Sequence, residues 1–222
     1  MNEIELKNDF LPYPESRLET WKTGDYSMLT DSNASDYIKE ILTFKAKTRH
    51  GRRFFGEAYI SSRIEMKEGW YNSFKWLTAD KWLSGDGLEP KFEKPFHSAL
   101  MKHIGADVLA RLQEHAVNFY NRHKERFMNG SKYRKPVAPD LWLIDKEGGF
   151  RFIESKLPGD TIGLHQIAGL ALIGKCLKVS VPISVSIMNL YPENFDSVNH
   201  FERLEKMGVT ECSLFSEFYN LA

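Results

Sequence analysis

A chain of 222 residues can bury one sizeable core, and 42% hydrophobic with 27% charged residues excludes a disordered polypeptide. No apolar run reaches the about 20 residues that cross a bilayer, the start Met1-Asn2-Glu3-Ile4-Glu5-Leu6-Lys7 has no signal-peptide pattern, and Cys176 with Cys212 allows at most one disulfide and no cysteine-held metal, so a reducing, cytoplasmic setting without a membrane partner is expected. The formal net charge of zero excludes a globally basic protein but not local basic patches, which are what displace counterions from a polynucleotide.

In chain order, residues 1–35 carry Pro, Asp and Ser with little periodicity and read as irregular structure with a short strand. Ser35 or Asp36 is placed to cap a helix over 36–49, with Tyr37, Ile38, Ile41, Leu42 and Phe44 on its apolar side. A second helix is predicted from about Arg52 to Lys67, ending at Gly69, and the aromatic run Trp70 to Leu77 reads as a strand. Pro95 to Met128 is helical with a break near Gly105. At about 100° per residue, Leu100, Ile104, Val108, Leu112 and Phe119 form one stripe.

After the stop at Asn129-Gly130-Ser131, Val137–Ile144 and Phe150–Leu157 are two strand-forming runs joined by Asp145-Lys146-Glu147-Gly148-Gly149, the pattern of a hairpin. Asp160 or Thr161 can cap a helix over 162–176, Val179–Leu190 reads as a buried strand, and 196–222 is helical around Phe201, Leu204 and Met207 and again near Phe215 and Phe218. This order predicts a single α/β domain over 1–222: a mixed central sheet with flanking helices, a core at about 50–190, and elaborations at 1–50 and 191–222.

The chemistry-bearing stretch is Pro139-Asp140 followed, one hairpin later, by Glu154-Ser155-Lys156. Alternation along a strand puts Glu154 and Lys156 on one face and Ser155 on the other. Asp140, early in the partner strand, can reach Glu154. Two carboxylates that close repel unless a cation lies between them, and a hard oxygen-liganded ion such as Mg2+ suits the pair, with Mn2+ as a substitute. Lys156 beside it could orient or deprotonate an attacking water, or neutralise charge growing on a phosphorus-bound oxygen. An exposed charged pair on a hairpin face is the ordinary alternative.

These residues, with Gln166 on the following helix, resemble the PD-(D/E)xK nuclease superfamily; Ala138-Pro139-Asp140-Leu141, Phe152-Ile153-Glu154-Ser155-Lys156 and His165-Gln166 are similar to the VRR-NUC type. The resemblance covers about 135–190 and implies a restriction-endonuclease-like core and magnesium-dependent DNA cleavage, endonucleolytic by preference. It implies that Asp140, Glu154 and the backbone carbonyl of Ser155 hold the metal, that Lys156 acts on water, and that Gln166 helps position the site. Ser155 departs from the pattern, where an apolar residue is commoner, and the stretch ahead of Asp140 is unusually long.

The resemblance also implies a further glutamate from an upstream helix. Glu57 shares a face with Phe54, Ala58, Ile60 and Ile64, and a carboxylate on a core-facing stripe is costly unless paired or bound to metal. Glu114 lies opposite its helix's apolar stripe and Glu93 lies ahead of Pro95 in a loop, so Glu57 is preferred; pairing with Arg53 or Arg63 is its ordinary alternative. Gln166 has one too, as a buried amide bonded to backbone, and His165 faces either site or solvent.

Two basic runs, Lys45 to Arg53 and Arg122 to Lys135, supply candidate DNA contacts at Arg49, Arg52, Arg53, Lys132, Arg134 and Lys135; solvated helix faces give the same pattern. Gly169–Cys176 mimics a phosphate loop but has an apolar helical middle and no Ser or Thr. His97, His103, His115 and His123 lack zinc-pair spacing, and core packing accounts for Trp70, Tyr71, Phe74, Trp76 and Trp82 better than base stacking. Two rival functions keep the fold: a nucleic-acid-binding or assembly module with idle acids, and an RNA-directed nuclease. A homodimer would suit cleavage of both strands, although no dimer face is legible.

Overall fold

The computed structural model describes residues 4–49, 51–72, 76–78, 82–129, 132–177, 182–195 and 198–222, with backbone alone at 78, 129 and 198–207. Five strands, β1 (Leu6–Tyr13), β2 (Glu68–Tyr71), β5 (Leu141–Ile144), β6 (Phe150–Lys156) and β7 (Ile183–Pro192), form one sheet in the order β1-β7-β6-β5-β2. β1 and β6 both run parallel to β7, while β6, β5 and β2 form an antiparallel meander. β3 (Met128–Asn129) and β4 (Lys132–Tyr133) make a separate two-stranded ladder. The expected α/β class with a mixed sheet is what the chain adopts.

Period-two alternation splits the apolar side chains between two cores. Trp142, Ile144, Phe150, Phe152, Val185 and Ile187 face a layer of α5 (Glu93–His103), α6 (Ala106–Arg122), α7 (Leu164–Leu177) and α8 (Val198–Leu221). Leu141, Leu143, Ile153, Met188 and Leu190 face α1 (Glu15–Lys22), α2 (Ser27–Thr30), α3 (Asp36–Thr48) and α4 (Phe55–Arg63). The β6–α7–β7 crossover is what permits parallel pairing, and the tight β5–β6 hairpin what makes the other pair antiparallel.

Several boundaries differ from expectation. The first 35 residues hold a full edge strand and two helices, because β1 gains its regularity from pairing with β7, a partner distant in sequence. The helix predicted over 52–67 is shorter, and Gly69 lies inside β2 instead of ending a helix. A Cβ there would stand 2.7 Å from Met66 Sδ and 2.8 Å from Ile38 Cδ1, so glycine lets α3 pack tightly on the strand. The strand predicted over 70–77 ends at Tyr71. α7 runs through Gly174 to Leu177, and α8 is one helix where two were expected. Ser35 caps α3, accepting from Ile38 N at 3.4 Å, and Gly105 (φ 90°) separates α5 from α6. Trp70, Tyr71, Trp76 and Trp82 are buried core, while Phe74 lies outside the described residues.

Candidate active site

The hairpin register pairs Leu141 with Ile153, so Asp140, one step before β5, stands opposite Glu154. The Asp140 segment is held from both sides. Asn72 donates its main-chain N–H to Asp140 O (2.7 Å) and its side-chain amide to Ala138 O (3.0 Å). Val137 N donates to His165 O at 3.1 Å, tying the same segment to α7. The Ser155 amide donates to Asp140 Oδ2 at 3.1 Å.

Glu154 is 2% exposed, and its Oε1 accepts both Lys156 Nζ (2.8 Å) and Gln166 Nε2. Gln166 Oε1 accepts in turn from Gly163 N at 2.9 Å, which fixes the amide's orientation. Glu154, Lys156 and Gln166 therefore form one bonded group at the end of β6, with Asp140 opposite Glu154 and tied to the strand through the Ser155 amide. As alternation required, Glu154 and Lys156 share the Phe152 face toward α7. Ser155 takes the Ile153 face, its hydroxyl against Gly56 of α4.

Glu57 follows Gly56 and lies on that second side, lining a cleft of about 700 Å3 with Ser155, Leu157 and Asp160. Asp140, Glu154 and Lys156 are not among the side chains that line it. The groups still act on one another electrostatically. Burial, then the charges of Glu154 and Glu57, hold the Asp140 carboxyl well above its usual range. Burial first and then Glu154 push Glu57 up to about 7, against the lowering effects of its own backbone N–H and Lys156. Burial works to lower Lys156, but the charge and hydrogen bond of Glu154 outweigh it and hold the ammonium above its ordinary value. The Tyr71 phenol is raised by burial and then by Glu57, Asp140 and Glu154. Among the described residues no three His, Cys, Asp or Glu side chains are grouped to hold an ion.

Of the other candidates, Glu114 is exposed on α6, and Glu93 is not in a loop: it opens α5, its Oε2 accepting from Glu89 N at 2.9 Å. The charges acting on Glu57 are those of Glu154, Lys156 and Asp160, not of Arg53 or Arg63. His165 is half-buried, and burial followed by the charges of Arg134 and Lys156 lowers its pKa. Arg134 is exposed, as are Lys132 and Lys135, and its charge acts on His165. Arg49, Arg52 and Arg53 line the cleft on the α4 side, where Arg52 pairs with Asp160 Oδ1 (3.0 Å) and donates to Pro158 O (3.1 Å).

The structure adds Glu211 of α8, 8% exposed, its carboxyl raised by burial with Lys156 acting to lower it. Its signal in the sequence is the one that marked Glu57: an acid at helical spacing with buried Phe215 and Phe218. Asn189, paired in register with Lys156 and bonded to Asn8 Oδ1, has no comparable signal, since its position depends on β1. No helix among the described residues is long and apolar enough to cross a membrane. Compared with protein-family models, curated proteins and solved structures, the chain gives no match.

Proposed function

We propose that the protein is a metal-dependent nuclease that hydrolyses DNA phosphodiester bonds, acting as an endonuclease on a restriction-endonuclease-like core. The observation that carries this reading is the hairpin group: two acids opposite one another, Asp140 accepting from the Ser155 amide and Glu154 from Lys156 and Gln166.

The donor set fits Mg2+, with Mn2+ as a substitute. Mg2+ is commonly held by one or two carboxylates with several waters retained, and Asp140 with Glu154 supplies two, joined by the Ser155 main-chain carbonyl. Burial first, and then the charges of Glu154 and Glu57, make Asp140 hold its proton unusually tightly, and a divalent cation would relieve the repulsive part. Glu57, whose charge acts on Asp140, enters as a third acid. When bound, the ion supplies Lewis-acid stabilisation of charge at phosphorus.

The chain's own groups do the rest. Lys156, held as an ammonium, neutralises charge developing on a phosphoryl oxygen, and its bond to Glu154 fixes where that charge sits. Gln166 orients Glu154. Arg134 on one side and Arg49, Arg52 and Arg53 on the other are suited to hold flanking phosphates. Cleavage of plasmid and branched DNA with Mg2+ or Mn2+ tests this: Asp140→Ala and Lys156→Ala should each abolish it. Activity unchanged in both variants overturns the proposal.

A second reading, a binding module with idle acids, draws on the near-complete burial of Glu154, whose Oε1 already takes two donors. Mn2+ titration separates the two, since an idle module shows no Asp140-dependent binding. An RNA substrate in the same cleavage assay decides between DNA and RNA.

A further inference from the structure

The cleft beside Glu57 has the makings of a subsite of its own. Arg49 ends α3, Arg53 leads into α4, and both are exposed there; Arg52 is partly neutralised by Asp160. Between them and Glu57 stands Phe54. Its φ of 63° makes it the one non-glycine residue with positive φ among the described residues, in a left-handed conformation that L side chains avoid. Glycine would adopt that backbone without strain. Phe54 packs against the α1–α4 core yet is only partly buried, and it lines the cleft.

The ring is also braced. Tyr71 meets it edge-on at 6.0 Å, and Lys45 Nζ lies 5.9 Å from its centroid. Phe54 and Leu157 give the cleft apolar surface, and the arginines give it cations. A volume of about 700 Å3 lies within the roughly 300–1,000 Å3 of small-ligand sites. A stacking ring beside phosphate-binding cations is the chemistry that holds single strands, because every base has a π face and an unpaired base can leave its neighbours. A closed duplex keeps its bases stacked and offers such a ring nothing.

We propose that this cleft is a single-stranded DNA subsite, in which Phe54 stacks on an unpaired base while Arg49 and Arg53 hold the adjoining phosphates. It rests on the nuclease reading for its biological setting, placing an unpaired nucleotide next to the hydrolytic group, but its binding chemistry is separable from cleavage.

The test is fluorescence anisotropy with a labelled oligothymidylate and a blunt duplex, both in EDTA so that hydrolysis does not intervene. Phe54→Gly keeps the left-handed backbone and removes the ring; Phe54→Leu keeps apolar bulk and removes only the aromatic face. Both should weaken single-strand binding about 5- to 150-fold, the worth of one base–aromatic stack, and leave duplex binding unchanged. Phe54→Tyr should bind the single strand as the natural chain does. Single-strand binding unchanged in Phe54→Leu, or single strand and duplex weakened alike, overturns the subsite. If Asp140→Ala abolishes cleavage while Phe54 variants keep full single-strand affinity, the subsite falls and the nuclease stands. Phe54-dependent binding without any cleavage gives the reverse.

Discussion

Ser155 Oγ occupies the space into which a Cβ on Gly56 would project, so the backbone of α4 rests directly on a side chain of β6. Leu190 and Leu157 lie at ordinary contact distance from the same point, 3.6 and 3.7 Å away. A helical glycine gives up about 1 kcal/mol relative to alanine, and here close approach is the return: it sets the next residue, Glu57, against the end of β6. Gly56→Ala should therefore destabilise the fold by about 1–3 kcal/mol despite its better helix propensity. In a Ser155→Ala background the same substitution should be neutral or stabilising. Urea unfolding of the four proteins measures the coupling, and equal costs in both backgrounds would show that the serine is not the obstacle.

The charge state of the site predicts how stability follows pH. Glu57 titrates near 7, raised chiefly by burial, and Asp140 is raised as well. Both bind protons more tightly folded than unfolded, so the metal-free protein is most stable where they are neutral. It loses stability as pH rises from the ordinary carboxylate range through about 7. Glu57→Gln should remove on the order of 2 kcal/mol of that loss. Urea melts in EDTA at about pH 5 and about pH 9 read the effect. A difference between the two pH values as large in Glu57→Gln as in the natural chain would rule out this burial penalty.

The hairpin arrangement was legible because it is local: Glu154 and Lys156 lie on one strand, Asp140 immediately precedes its partner, and alternation alone fixes their faces. Gln166 was legible for a related reason, since α7 starts a short way past β6. What was not legible depends on partners remote in sequence. β1 exists as a strand because β7 is there to pair with it, and Asn8 meets Asn189 only through that pairing. That Glu57 lines a cleft with Ser155 was likewise invisible, because helical periodicity says that a residue faces the core but not which of two cores. The strained backbone of Phe54 leaves no compositional trace.

Gln166 holds Glu154 through one amide end while the other end is fixed by Gly163 N, so it acts as a splint between the start of α7 and β6. Gln166→Ala should leave the fold nearly intact but loosen Glu154 and weaken Mn2+ binding by about 10- to 100-fold, the usual worth of a group that orients a ligand. Gln166→Glu should do worse than alanine, because a carboxylate facing Glu154 repels it and cannot donate. Isothermal titration with Mn2+ distinguishes these variants. Equal affinity in all three proteins would mean that the amide merely fills a buried polar position.

Gly169 carries the heaviest steric demand among the described glycines. A Cβ there would overlap the carbonyl oxygen of Val137, and the neighbouring carbonyl carbon and Val137 N offer no room either. Unlike Ser155, the obstacle is backbone, fixed on one side by the bond from Val137 N to His165 O and leading on the other into Asp140. Gly169→Ala must push α7 off this segment, at a cost of about 3 kcal/mol. It would carry Gln166 away from Glu154 as well. No single side-chain truncation should rescue it, in contrast to Gly56→Ala. Thermal unfolding and Mn2+ titration of Gly169→Ala should both show loss, the first directly and the second through misplacement of Gln166. Unaltered stability would mean that α7 and the 137–140 segment do not pack through their backbones.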